Sequence, residues 1–331
     1  MKKIILVAAL LSAAVCLPAQ NKGGNKSGGI NLSLWKKACT QPLDSTQTTY
    51  VNLGLFSAMH KLHGVGFNAF GSMVQNNMNG VQISGLANLA GGSMHGVQIG
   101  GISNVNGNNL AGLSVSGLVN ITGNKAKGVL ITGLSNIAGD NMRGLMMSGI
   151  MNITGDKAAG VQLAGLANVT GEEYDGLMMS GLLNVVGEEM NGLQLGLFNF
   201  ASKAKGLQIG LFNYHKEDMK GLQLGLVNAN PQTKVQLMVF GGNSTKINVG
   251  ARFKNKLFYT ILGGGTHYLD FDDKFSAALF YRAGLELPLY RNLFVSGDLG
   301  YQHIETFRNK KVEGIPARLY ALQARLYLEY R

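Results

Sequence analysis

The sequence predicts an all-β chain: a short-period β-solenoid of roughly 14–16 residues per coil, followed by an antiparallel, outer-membrane-barrel-like β-meander. Three observations carry this. A cassette first seen as GVQISGLANLAGGSMH at Gly80 recurs from Gly96, Gly112, Gly128, Gly144, Gly160 and Gly176. Shorter copies start at Gly192, Gly206 and Gly221, and a degenerate one at Gly64. Within each copy, Val, Ile, Leu and Met recur at alternate places, which is strand spacing. The recurring glycines, at about 1 kcal/mol each against alanine, exclude helix.

Taken in order, residues 1–19 read as a secretory signal. Lys2 and Lys3 precede an apolar run, Ile4 to Val15, that is too short for a membrane helix, and Ala19 is a candidate cleavage point. Cys16 leaves a lipoprotein anchor as the alternative. Once Cys16 is removed, Cys39 stands alone and no internal disulfide can form. The chain is basic, with 29 Lys and Arg against 18 Asp and Glu. In an exported protein that balance points to anionic surfaces such as lipopolysaccharide or polysaccharide, or to simple solubility, and not to nucleic acid. Residues 20–47, rich in Gly, Asn, Lys and Ser, read as a flexible lead-in. Residues 48–79 read as divergent first repeats or a cap, 80–233 as the repeat array, and 234–331 as the C-terminal antiparallel region.

Numbered from its first glycine, the cassette has Gly mainly at positions 1, 6 and 12. Position 9 is always Asn: Asn88, Asn104, Asn120, Asn136, Asn152, Asn168 and Asn184, then Asn199, Asn213 and Asn228 in the shorter copies. Positions 2, 4, 7 and 10 are aliphatic or Met, and the expectation is that about five such side chains fill each coil. An isolated coil orders more backbone than that burial offsets, so the coils must stack.

A second architecture competes, a single transmembrane β-barrel of about 18 antiparallel strands. Apolar residues at even positions, and a strand of about ten residues, suit it. The solenoid is favoured by apolar residues at position 15 (Met78, Met94, Leu110, Ala126, Met142, Ala158, Tyr174, Met190), which a closed coil needs and a hairpin tip does not. Tyr174 is the sole aromatic between Gly80 and Asn191, so no aromatic girdle exists there. Copies also match whether adjacent or alternate, whereas antiparallel strands should diverge in two classes. In a solenoid the position-9 Asn either stacks as an amide ladder or serves as a turn residue.

From Lys234 aromatics return and amphipathic strands lengthen. Ile247, Val249, Ala251 and Phe253 alternate with polar residues, as do Leu279 to Leu287, Leu293 to Tyr301 and Tyr320 to Tyr330. About six strands result, fewer than the eight of the smallest membrane barrels. They form either a soluble sheet capping the array or part of a larger barrel.

No catalytic constellation emerges. The six histidines are scattered, and His60 and His63 lack a carboxylate or cysteine to complete a zinc site. The G-x-G strings do not open helices. The chain is therefore expected to be no enzyme and to need no cofactor. Position 13 reads Asn124, Asp140, Asp156, Glu172 and Glu188, reinforced by Glu173 and Glu189. Stacked, these form an acidic column that is either a weak Ca²⁺ site or a solvated turn eased by Lys157 and Arg143.

The strings GLQLGLFN at Gly192–Asn199, GLQIGLFN at Gly206–Asn213 and GLQLGLVN at Gly221–Asn228 resemble the bacterial surface-repeat proteins of Gram-negative envelopes. The likeness covers Gly64 to Asn230. It implies an exported protein of the cell envelope, at the outer membrane or cell surface, and supplies no catalytic residues. A looser similarity to the β-roll heads of trimeric adhesins suggests adhesion. The expected function is a non-enzymatic β surface for adhesion or scaffolding, with surface glycans, lipopolysaccharide or a protein as partner. The alternative is a passive outer-membrane pore.

Overall fold

The computed structural model describes residues 29–35, 38–41, 46–268, 274–309 and 316–330, and the signal reading of residues 1–19, with Cys16, lies outside them. The described chain is all-β, a solenoid of about 11 turns followed by a six-stranded antiparallel sheet. It divides into two compact units, Met1–Gln208 with Met219–Gly221, and Ile209–Asp218 with Leu222–Arg331. The last repeats thus group with the C-terminal strands, earlier than the boundary drawn at residue 233.

In the first unit each coil has one longer and one shorter strand, as in Ala126–Thr132 and Ser135–Ala138. Each strand pairs in parallel with its counterpart in the coils before and after. Gly128 faces Gly144 and Gly112, and Asn136 faces Asn152 and Asn120. This excludes the single barrel of about 18 strands, in which neighbouring copies would run antiparallel. The position-1 glycines have φ between +117° and +139° from Gly96 to Gly192. A Cβ on Gly128 would lie 2.0 Å from the Gly112 carbonyl oxygen, so the coils can approach here only without side chains.

The direction the side chains face corrects the sequence expectation. Aliphatic residues at positions 2, 4, 7 and 10 point outward, and the interior takes positions 3, 5, 9, 11 and 15. Position 15 packs an apolar column, including Met94, Leu110, Met142, Tyr174 and Met190. Position 3 alternates Gln82 and Gln98 with Leu130, Met146 and Met178, all buried. Strand pleat explains this: with position 15 inward, period two carries positions 3 and 5 inward and 2 and 4 outward along the longer strand, and after the corner at positions 6 and 7 the shorter strand turns 9 and 11 inward and 10 outward.

A second correction concerns the lead-in. It contains a strand, Ile30–Trp35, that pairs in parallel with Thr48–Met59, with Asn31 opposite Asn52. Its Gly- and Asn-rich composition conceals a coil.

In the second unit, the strands Lys234–Phe240, Ile247–Asn255, Phe258–Thr266, Lys274–Tyr290, Leu293–Asn309 and Arg318–Tyr330 form an antiparallel meander in chain order. The sheet is strongly curled. Arg252 on the second strand reaches Glu329 on the sixth at 3.1 Å. In a flat sheet, strands four apart stand about 19 Å from each other. The Arg325 guanidinium of the sixth strand lies 5.3 Å from the Phe240 ring of the first, so the two edges approach. The preceding repeat is tied to this sheet by Tyr281, whose hydroxyl donates to the Gly225 carbonyl at 2.9 Å, and by an Asn230–Asn255 amide bond of 2.7 Å.

Candidate interaction surface

The position-9 asparagines from Asn88 to Asn213 are fully buried, and from Asn88 to Asn199 they form a continuous amide ladder. Each Nδ2 donates to the next Oδ1, from Asn88 to Asn104 at 2.9 Å through Asn120, Asn136, Asn152, Asn168 and Asn184 to Asn199. The same Nδ2 also donates to the backbone of the following coil, as Asn136 does to the Met147 carbonyl at 2.7 Å. Each side chain therefore both stacks and ties a corner. Asn213 repeats the pattern in the second unit, donating to Asn228 at 2.8 Å and to the Leu224 carbonyl at 3.0 Å. Gln98 donates to Gln82 at 2.9 Å and Gln208 to Gln194 at 2.6 Å, two separate amide pairs at position 3. In the asparagine ladder identical residues at identical positions satisfy one another, which is what allows a polar column to be buried.

With polar groups inside, the aliphatics line the outer walls. Position 7 is the most exposed column: Leu86, Ile102, Leu118, Leu134, Ile150, Leu166, Leu182 and Leu197 are each between 36% and 51% exposed. Beside them run position 4 (Ile99, Ile131, Met147 and Met179 exposed) and the half-buried position 10 (Ile121, Ile137, Ile153). Together they line the outer wall with apolar side chains from coil to coil.

The position-13 residues stack as the period requires. Asp156 N donates to the Asp140 carbonyl at 2.8 Å, Glu172 N to Asp156 at 2.8 Å, and Glu188 N to Glu172 at 2.9 Å. At position 14, Lys157 pairs with Glu173 at 2.8 Å, and Glu189 with Lys205 at 2.6 Å. The Lys205 hydrogen bond holds the Glu189 carboxyl below its ordinary range. Among the described residues, no group of three or more His, Cys, Asp or Glu is arranged to hold a metal ion. His60 Nε2 lies 3.1 Å from the Asn76 side-chain amide, and the His63 ring sits 6.1 Å from that of Tyr50. Cys39 Sγ contacts the Gln41 carbonyl at 3.2 Å, and burial pushes its thiol pKa up.

One constellation was missed from the sequence. On the concave face of the C-terminal sheet, Arg252 bridges the buried Glu286 at 2.8 Å as well as Glu329, and Lys254 also pairs with Glu286. Arg282, 1% exposed, donates to Gln323 at 2.8 Å. Tyr259 donates to Asp298 at 3.1 Å. On the last three strands Arg282, Glu286, Asp298 and Glu329 alternate with apolar residues such as Leu285, Leu287, Leu299 and Leu328, and that common phase was the available signal.

No family model matches the chain, no curated protein matches it, and no solved structure matches it.

Proposed function

We infer that this chain is a non-enzymatic, exported cell-envelope protein whose repeat array presents an extended β surface for adhesion or scaffolding. The supporting observation is the set of aliphatic columns on the outer walls of the solenoid, held in register by the amide ladder. A repeated flat surface offers many identical weak contacts, and avidity makes their sum strong. The partner is an envelope component with an apolar face, a protein or the lipid part of lipopolysaccharide. The Gram-negative surface-repeat resemblance points the same way. Passive conduction has less support, because the large barrel it needed requires antiparallel repeats.

The test replaces Leu118, Leu134, Ile150 and Leu166 with Gln in the full chain and measures its sedimentation with intact Gram-negative cells. Exposed substitutions of this kind cost about 0.5 kcal/mol or less each, so folding should survive, as far-UV dichroism would check. At least a tenfold loss of apparent affinity is expected. Unchanged binding by the folded variant would remove the basis for this reading.

A further inference from the structure

We propose that the C-terminal six-stranded unit is seated in a lipid bilayer, with its convex face in the hydrocarbon. This goes beyond the adhesion reading and stands without it, since it draws only on the second unit.

The first argument is the face that the apolar residues occupy. Leu279, Leu299, Leu322, Leu326 and Leu237 are 72%, 72%, 89%, 80% and 85% exposed, and all lie on the outer side of the curl. Between Tyr320 and Tyr330 the charged side chains of the long strands, among them Arg282, Glu286 and Glu329, lie on the inner side, and the Arg318–Glu305 pair on the outer phase falls beyond Tyr320. This is the reverse of a sheet that packs on a core and shows water its polar face. It is the arrangement that lipid demands, because a charge on the lipid face near the midplane is costly.

The second argument is dimensional. On the sixth strand the outer face begins at Tyr320 and ends at Tyr330, with Leu322, Ala324, Leu326 and Leu328 between. Ten steps span about 33 Å along the strand, or about 25 Å after a tilt of about 40°, matching the apolar band of outer-membrane strands. Aromatics gather at both ends of the band. Tyr290 and Tyr330 lie at one end, while Tyr301 and Tyr320 stack at the other with ring centroids 6.2 Å apart. Aromatic rings favour the two interfaces.

The third argument is charge. At the Tyr290–Tyr330 end, the turns carry Lys256 and Arg291, and the Arg291 guanidinium lies 5.2 Å from the Tyr290 ring. A basic rim below an aromatic ring complements anionic headgroups. Curvature decides against a second copy of the chain. The apolar face bends around four neighbouring strands, since the sixth approaches the first, and a convex wall is covered by a fluid solvent more readily than by its own rigid image. Arg282, Glu286 and Arg252 occupy the concave side, so the unit is an anchor with a filled interior and not a channel.

The test uses the full chain with Cys16 and Cys39 replaced by Ser and a single nitroxide-labelled cysteine at position 299 or 326. The chain is mixed with phosphatidylcholine–phosphatidylglycerol vesicles. The expected result is flotation with the vesicles. On binding, collisions of both labels with oxygen should rise and those with a water-soluble nickel chelate should fall at least fivefold, while a label at Asn124 stays unchanged. A Leu299→Lys plus Leu326→Lys variant should float at least tenfold less well. Labels that stay open to the nickel chelate in the presence of vesicles would overturn the proposal. So would labels that become shielded in a discrete oligomer without lipid. Either failure would leave the cell-binding result for the solenoid columns standing, so the two readings can fail separately.

Discussion

At the residue scale, the position-9 asparagine explains most of how the solenoid holds together. Asn136 accepts from Asn120 at 2.9 Å, donates to Asn152 at 2.9 Å and donates to the Met147 carbonyl at 2.7 Å, with no exposure to water. Truncating it leaves neighbouring polar groups buried without partners, each costing about 1–3 kcal/mol. Asn136→Ala should therefore destabilise the chain by roughly 3 kcal/mol in urea unfolding. Asn124→Ala, at an exposed turn, should cost about 0.5 kcal/mol or less. Equal effects at the two sites would mean that the ladder contributes nothing. Tyr174 makes the converse point. It is the largest residue in the position-15 column, and its hydroxyl finds the Gly160 carbonyl at 3.0 Å, so burial raises its pKa and keeps it neutral.

At the scale of the element, parallel pairing was legible and facing direction was not. The strict period requires like positions to stack, and the pairing of Gly128 with Gly144 follows from it. Period-two alternation, however, reads the same from either side, and a shift of one residue turns every side chain over. Alternation by itself therefore leaves open whether the aliphatic residues face the interior or the solvent. The decisive signal was at positions 3, 5 and 9, where Gln82, Ser84 and Asn88 can be buried only if the next coil presents a matching partner. The strand Ile30–Trp35 was missed for a related reason, since one coil without its array resembles a linker. The C-terminal strands were legible because each is long enough to show its own alternation. The strand Phe212–His215 has its own consequence. His215 is buried, with its Nε2 3.2 Å from the Asn230 amide. Burial lowers its pKa below about 6.5, and nearby Lys256 adds to this against opposing contributions from Gln223 and Asp218. A lowered folded-state pKa means that the neutral form is favoured by the fold. The stabilisation is present above the unfolded pKa of about 6.5 and is lost as pH falls through the folded value. Protection factors of the amides around residues 212–215, taken against the intrinsic exchange rate at each pH, should therefore fall between pH 7 and 5, and His215→Gln should flatten that dependence. An unchanged pH dependence in the variant would assign the effect to other groups.

At the scale of the whole molecule, the two units share one inversion. Amide ladders share the solenoid interior with one apolar column while further aliphatics coat the outside, and ion pairs fill the C-terminal sheet while leucines coat it. Both units leave rows of apolar side chains exposed, and the proposed scaffold and the proposed anchor each supply a cover for such a row. The outward facing of the aliphatics is checked most directly by single-cysteine labelling along one short strand, Val119–Thr122, and the corner residue before it. In a chain lacking Cys16 and Cys39, cysteines at positions 118, 120, 121 and 122 are treated with a small maleimide under native conditions. Positions 118 and 121, which hold Leu and Ile, should react at least tenfold faster than positions 120 and 122, which hold Asn and Thr. Fast labelling at 120 and 122 with protection at 118 and 121 would place the aliphatics inside and contradict the account.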